Sequence, residues 1–216
     1  MDKISFAIWP VLLDGLFTTL TVSLSALLLG APLALLLAAC GRSGRLPRLA
    51  SGLYISFWRG TPILVQLLIV FYVLPLLGLD LTPVAAATVA LALNTAAFQS
   101  EIYRAGLQSI PKGEREAAAM LGLSAGRTFL HIEVPQAFRT MLPALVGEIQ
   151  ALVKNSSLVS VIAVTDLTRR AQQYAATTFR PLDAYLSALL LYVAVGALLA
   201  GIGLLVERHL TKEATR

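Results

Sequence analysis

The sequence predicts an all-α fold: a polytopic membrane helical bundle of about five transmembrane helices, organised as one domain over residues 1–216. Three observations predict it. Of the 216 residues, 57% are hydrophobic and only 13% charged, whereas a soluble domain carries about 25% charged residues. Five stretches reach the roughly 20 predominantly apolar residues that a bilayer span requires. The basic residues alternate between loops instead of gathering on one face, so the net charge of +5 reflects membrane asymmetry and argues against a nucleic-acid partner.

The first span covers about residues 16–40, after a short amphipathic lead with Asp2, Lys3, Trp9 and Asp14, and stops at Arg42, Arg45 and Arg48. Residues 1–13 lack the basic start and cleavage site of a removable signal peptide. The second span, about 53–77, opens with Tyr54, Trp58 and Arg59 at an interface and ends near Asp80. The third follows Pro83 and runs to about Ala105, with Arg104 and Lys112 at its far end. The fourth covers about 137–164 and the fifth about 184–206, before Glu207, Arg208, His209 and Lys212. Gly30 with Ala34, and Gly196 with Ala200, have the spacing that lets helices pack closely. Neither an internal repeat nor a linker marks a second domain.

Between the third and fourth spans lies the only long polar interval, residues 113–135, GEREAAAMLGLSAGRTFLHIEVP. Glu114, Arg115 and Glu116 form a charged first turn, residues 117–121 favour helix, and Gly122 occupies the place of a C-terminal glycine cap. A second short helical pattern, residues 124–132, starts on a Ser cap and closes before Pro135.

Orientation follows from the basic residues of alternate loops. One side holds twelve: Arg42, Arg45, Arg48, Arg59, Arg104, Lys112, Arg115, Arg127, Arg139, Arg208, Lys212 and Arg216. The other holds four, Lys3, Arg169, Arg170 and Arg180, with Lys154 left inside a span. The richer side is expected to be cytoplasmic, which puts the N-terminus outside and the C-terminus and the 113–135 loop inside.

Catalytic chemistry is not expected of this chain. It has no phosphate-binding lysine loop, no HExxH and no GxSxG, and His131 and His209 have no ligand partners at metal spacing. The single cysteine, Cys40, excludes an intrachain disulfide. The informative residues are the polar ones inside spans, because such groups face a cavity or a partner. Asn94, Phe98, Glu101 and Ala105 share one helical face in the third span. In the fourth, Glu148 and Asn155 share one face, and Gln150, Lys154 and Ser157 another. Gln66 is a lone polar group in the second. Gln66, Asn94, Phe98, Glu101 and the run Lys154, Asn155, Ser156, Ser157 are therefore candidates for lining a pathway. For Glu101, pairing with Arg104 at i+3 competes with that role, and interhelical hydrogen bonding does so for the fourth-span groups and Gln66.

The loop residues Glu116-Ala117-Ala118, then Gly122, Ile132 and Pro135, resemble the EAA loop of permease subunits of bacterial ABC importers. Asp14-Gly15-Leu16 with Thr18-Thr19-Leu20, Arg59-Gly60-Thr61-Pro62 with Gln66, residues 101–106 (EIYRAG), Pro135-Gln136-Ala137 and residues 154–158 (KNSSL) resemble the polar amino-acid branch of that family, in the family's order. The resemblance implies a bacterial inner-membrane subunit that forms a substrate pathway. Glu116, Ala117, Ala118, Gly122, Ile132 and Pro135 would then belong to a coupling helix docked on a separate ATPase. It further implies two ATPase subunits inside, a second permease subunit, identical or similar, and an extracytoplasmic solute-binding protein. ATP and Mg would be bound by the partner ATPase, and no cofactor by this chain. The family's Lys-Asp-Thr-Ser is here Lys154-Asn155-Ser156-Ser157, and its Gln or Asp before the EAA glutamate is Glu114-Arg115, which leaves the substrate open. Glu101 in a low-dielectric cavity would tilt it towards basic amino acids. The alternatives are a secondary transporter or small channel with a polar cavity, for which no inverted repeat is found, and a membrane-embedded enzyme.

Overall fold

The computed structural model describes residues 8–42 and 44–214, with side chains as far as Leu210. Asp2, Lys3 and Arg216, which entered the sequence reading, lie outside the described residues, and so does the Lys212 side chain. The elements are α1 (Ile8–Arg42), α2 (Arg45–Gly60), α3 (Ile63–Val73), a 3-10 turn (Pro75–Leu77), α4 (Pro83–Gln108), α5 (Lys112–Met120), α6 (Ala125–Thr128), a π turn (Phe129–Glu133), α7 (Val134–Asn155), a 3-10 segment (Ser156–Ile162), α8 (Leu167–Thr178) and α9 (Pro181–Ala214). Among the described residues there is no strand.

α4 is the axis of the bundle. Thr82 caps it by accepting from the Ala85 N–H at 3.3 Å, and Pro83 takes the first turn, where its missing N–H costs nothing. Its interior is lined by small residues, with Ala86, Ala87, Ala90, Ala96 and Ala97 all buried. Long side chains would hold the neighbours off, whereas alanines let α1 lie against it. The closest approach is at Gly30, where an added Cβ would stand 2.8 Å from the Ala92 carbonyl oxygen and 2.9 Å from the Thr95 methyl. The expected packing of Gly30 with Ala34 is thus found. A Cβ added at Gly196 would meet nothing within 4 Å, whereas one at Gly203 would stand 2.8 Å from the Val146 side chain, so it is Gly203 that marks the close approach of α9 to α7.

Three helical segments are long and apolar enough to cross a bilayer by themselves: Ile8–Arg42, Ala125–Ile162 and Pro181–Leu210. α9 is the most peripheral, with 6% of its apolar window buried, so lipid or another subunit must cover its leucines. α4, the expected third span, is too polar to stand alone in lipid and does not have to, because protein surrounds it.

The second expected span departs from a straight helix. α2 and α3 meet at Thr61-Pro62 with a turn of 107°. Tyr54 and Trp58, expected at a membrane interface, are built into the bundle: the Tyr54 hydroxyl donates to the Leu93 carbonyl at 2.8 Å, and the Trp58 carbonyl receives two side-chain amides. Arg59, counted above with a loop, lies against Phe98 of α4, its guanidinium 5.1 Å from the ring centre. Without it the charge asymmetry is eleven to four.

The fourth span starts earlier than expected. Pro135 does not close a helix, because the π turn at Phe129–Glu133 carries the chain from α6 into α7 without a stop. The wider i→i+5 register gives way at the place where proline removes a donor and crowds the preceding turn. The stretch 166–183, expected as a connecting segment, contains α8. Asp166 caps it, accepting from the Arg169 N–H at 2.9 Å and the Thr168 N–H at 3.1 Å, and Leu167 and Ala171 bury its inner face against α1 and α9. Burial pushes the Asp166 carboxyl above the usual aspartate range, while its hydrogen bonds to the α8 N-terminus pull the other way.

Candidate functional site

The loop between α4 and α7 is a preformed tool. α5 ends in a two-bond cap: the Gly122 N–H bonds the Ala119 carbonyl at 3.0 Å and the Leu123 N–H bonds the Ala118 carbonyl at 3.0 Å. That geometry needs a left-handed residue after the helix, and Gly122 supplies it at φ +76°. No other atom comes within 4 Å of where its Cβ would stand, so the backbone alone dictates glycine.

The two faces of α5 differ. Ala118 is 1% exposed and turns inward, so among the expected coupling residues it holds the helix to the bundle instead of facing out. Glu116, Ala117, Ala119 and Gly122 are exposed. Met120 and Leu121 are 89% and 81% exposed, an apolar tip that propensity arguments alone did not single out. Ile132 is half-buried in the π turn, and Pro135 is exposed at the start of α7.

Behind the loop the Arg115 guanidinium ties α5 to two other elements, the π turn and α4. Its Nε donates to Glu133 Oε1 at 2.8 Å, and one terminal nitrogen donates to Glu133 Oε2 at 3.2 Å and to the Leu107 carbonyl at 3.3 Å. Gln136 Nε2 adds a longer strap to Glu114 at 3.4 Å. Glu133 was not foreseen: its significance depends on the π register that turns it inward.

The expected pathway residues fall into three places. Gln66 and Asn94 are buried and bonded to each other, the Asn94 amide donating to Gln66 Oε1 at 2.8 Å. Gln66 Nε2 also donates to the Trp58 carbonyl at 2.9 Å, the Thr61 carbonyl at 3.1 Å and Thr61 Oγ1 at 2.7 Å, and Asn94 Nδ2 donates to the Trp58 carbonyl at 3.2 Å. Sequence explains why. Trp58 is four residues before Pro62, so its carbonyl is the one whose helical donor the proline lacks. Gln66 and Asn94 replace that donor.

Phe98 and Glu101 line a second place, a groove of about 540 Å³ between α4 and α7, with Arg59, Arg104, Thr140 and Met141 among its walls. Arg104 grips Glu101 through Nε at 2.9 Å and a terminal nitrogen at 2.5 Å, and Arg59 stands 3.7 Å from the same carboxylate. Two guanidinium groups around one carboxylate leave this cluster with net positive charge. The expected tilt towards cationic substrates therefore has no support from Glu101. Ala105 lines the same groove.

Lys154 and Ser157 line a third place, a groove of about 450 Å³ between α7 and α9, with Gln150 donating to the Gly196 carbonyl at 3.1 Å beside it. Ser156 is buried and bonds its own helix at Val153, whereas Asn155 is half-exposed. Within one chain the candidate lining residues thus do not converge on one pocket. A hydrogen-bonded chain missed in the sequence runs along α4: Tyr103 donates to Gln99 Oε1 at 2.9 Å, Gln99 to Thr95 Oγ1 at 3.1 Å, and Thr95 to Glu148 Oε1 at 2.7 Å. The i, i+4, i+8 spacing of Thr95, Gln99 and Tyr103 is the signal that could have found it. Among the described residues no three His, Cys, Asp or Glu side chains gather as for a metal, and His131 Nδ1 lies 3.0 Å from the Arg127 carbonyl.

A bundle of spanning helices with a small capped helix projecting between two of them is the form of a membrane permease subunit. The chain belongs to the family described as binding-protein-dependent transport system inner membrane component, which it matches over residues 30–212. It is 41% identical to the arginine transport system permease protein ArtQ of Bacillus subtilis, with 93% of both chains covered. It is 36% identical to the L-cystine transport system permease protein TcyB of the same organism, covering 98% of this chain and 91% of the relative. Among solved structures, a chain of an amino acid ABC transporter crystallised with histidines superposes at TM-score 0.89, with 34% identity and coverage of 97% and 99%. A chain of the inward-facing MetNI methionine ABC transporter shares the fold at TM-score 0.76 and 20% identity, with coverage of 95% and 99%.

Proposed function

We propose that this chain forms the transmembrane pathway of an ATP-driven importer of polar amino acids or related compounds, and that α5 with its tip transmits the work of a separate ATPase. The carrying observation is the tip itself. Met120 and Leu121 stand almost fully exposed beside Glu116 on a helix fixed by its cap and by Arg115. Such a pair of bare apolar side chains, rimmed by charge, is an anchor for a protein groove. Glu116, Ala117 and Gly122 lie on the docking side, with Ile132 and Pro135 supporting it from the π turn.

The loop end faces the cytoplasm, with the C-terminus, and α8 faces outwards, where a solute-binding protein delivers substrate. The basic asymmetry supports this. A second permease subunit completes the pathway: Lys154, and the Arg59, Phe98, Glu101 cluster, are open on the single chain although they lie within spanning helices, where charge needs water or protein around it. Gln66 and Asn94 stand behind that wall and hold its bend, and Asn155, Ser156 and Ser157 belong to the same stretch as Lys154. ATP and Mg act on the ATPase. A secondary transporter or channel offers no partner for the apolar tip.

The test is co-purification in mild detergent. The parent chain, expressed with its transport partners, should retain the ATPase, and Met120→Asp with Leu121→Asp should lose it while inserting normally. Full retention by that variant would refute the docking role.

A further inference from the structure

We propose that Arg115 and Glu133 are positioning residues of the coupling step: their ion pair locks α5 to the ends of α4 and α7, so that a push on the tip moves both helices together. The inference rests on the permease reading given above. α5 has nine residues and meets the bundle through a narrow footprint, with Ala118 its one buried residue. A helix so held would pivot about Ala118 when loaded at Met120. The Arg115 guanidinium removes that freedom. It engages both oxygens of Glu133 at 2.8 and 3.2 Å and the Leu107 carbonyl in the last turn of α4 at 3.3 Å.

The parts of this clamp suit a rigid link. A planar guanidinium paired through two bonds fixes direction as well as distance, which a lysine cannot do. The Glu133 side chain is 9% exposed and Arg115 39%, so the carboxylate is shielded and the bond is not a surface pair exchanging with water. Glu133 ends the π turn from which α7 starts. The extra residue of that turn sets the direction in which Glu133 points, and π turns inside helices recur at functional positions. The other tie, Glu114 to Gln136 at 3.4 Å, is longer and exposed. Movement of α5 is therefore handed to α4, which carries Phe98 and Glu101, and to α7, which carries Lys154.

The test uses the permease reconstituted with its ATPase and binding protein, as parent, Arg115→Ala, Arg115→Lys, Glu133→Gln and the exchange Arg115→Glu/Glu133→Arg. Two readouts are taken. The first is the distance distribution between nitroxides at Gln108→Cys and Met120→Cys in a Cys40→Ser background, on the permease alone. It should broaden in the single variants and narrow in part in the exchange, which restores the ion pair but not the bond to the Leu107 carbonyl. The second is the ratio of ATPase rates with and without loaded binding protein. It should fall about five-fold in Arg115→Ala and Glu133→Gln, within the range for residues along a coupling path, and recover in part in the exchange. Retention of the ATPase should be unchanged, because the tip is intact. Single variants with parental distances and parental stimulation overturn the proposal, and so does an exchange that restores the distance without the stimulation. Should the parent retain no ATPase, the permease reading fails, whereas a coupled parent with coupled single variants sinks the clamp alone.

Discussion

The bend at Thr61-Pro62 makes the sharpest prediction, because proline chemistry fixes which group is left wanting. Pro62 cannot donate to the Trp58 carbonyl, and Gln66 and Asn94 stand in at 2.9 and 3.2 Å. Gln66→Leu keeps the volume and removes the amide. It deletes three donated contacts and the one received from Asn94 at 2.8 Å, in a side chain that is 2% exposed. A hydrogen bond contributes about 0.5–1.5 kcal/mol and a stranded buried group costs about 1–3, but bonds between membrane helices average only about 0.6. The lower figure governs here, because Asn94 still reaches the Trp58 carbonyl. The expected loss is about 2 kcal/mol, or roughly 4–8 °C in unfolding temperature for a chain of this size. Thermal unfolding in detergent of Gln66→Leu, Asn94→Leu and the double variant should give a sum smaller than the parts by about 1 kcal/mol. Strict additivity of the two leucines would refute the argument.

Gly30→Val should lower the unfolding temperature through overpacking of about 1–3 kcal/mol, since its Cβ would meet the Ala92 carbonyl and Thr95 at under 3 Å; an unchanged midpoint would show that α1 and α4 part at no cost. Gly122→Val should strain the φ +76° turn by about 1–2 kcal/mol and lower binding-protein-stimulated ATPase activity with insertion intact, whereas Gly122→Asn, which tolerates that conformation, should stay close to parent. Burial raises the Asp166 carboxyl, so its contribution to stability is fully present below the unfolded aspartate pKa of about 3.9 and declines as pH rises through the folded value. Asp166→Asn removes the buried charge but keeps one cap bond of two, because its amide nitrogen cannot accept from an N–H, and it should lie between the parent and Asp166→Ala, nearer the parent at neutral pH than at pH 4. Asp166→Ala should lose about 1 kcal/mol near pH 4 and less at neutral pH, where the buried charge offsets part of the cap. In a Cys40→Ser background, an impermeant thiol reagent applied outside should label Gln173→Cys and spare Ala125→Cys; the reverse pattern would invert the topology.

Much of this protein was legible in one dimension because the bilayer imposes a coarse and severe rule. Apolar stretches of span length, their loops and the basic asymmetry could be read without contacts, and so could the capped helix ending at Gly122, whose left-handed turn is a local property of the chain. The resemblance of the EAA loop supplied the class of protein, and the family match bears it out. What the sequence left undecided depends on which neighbour each polar side chain meets. Gln66 read as a lone group in a span, yet Pro62 had already orphaned a carbonyl within its reach. Glu101 read either as a pathway carboxylate or as the partner of Arg104, yet Arg59 is also brought to it, and only because the second span turns at Thr61-Pro62. Glu133 carried no sequence signal at all, since a π turn is a compromise between Pro135 and the continuing helix, and such compromises are settled by packing. Periodicity and propensity describe a helix facing a uniform medium. α4, enclosed by its neighbours, has none, and only the tertiary structure could decide which of its polar faces are bonded inward and which remain open to a groove.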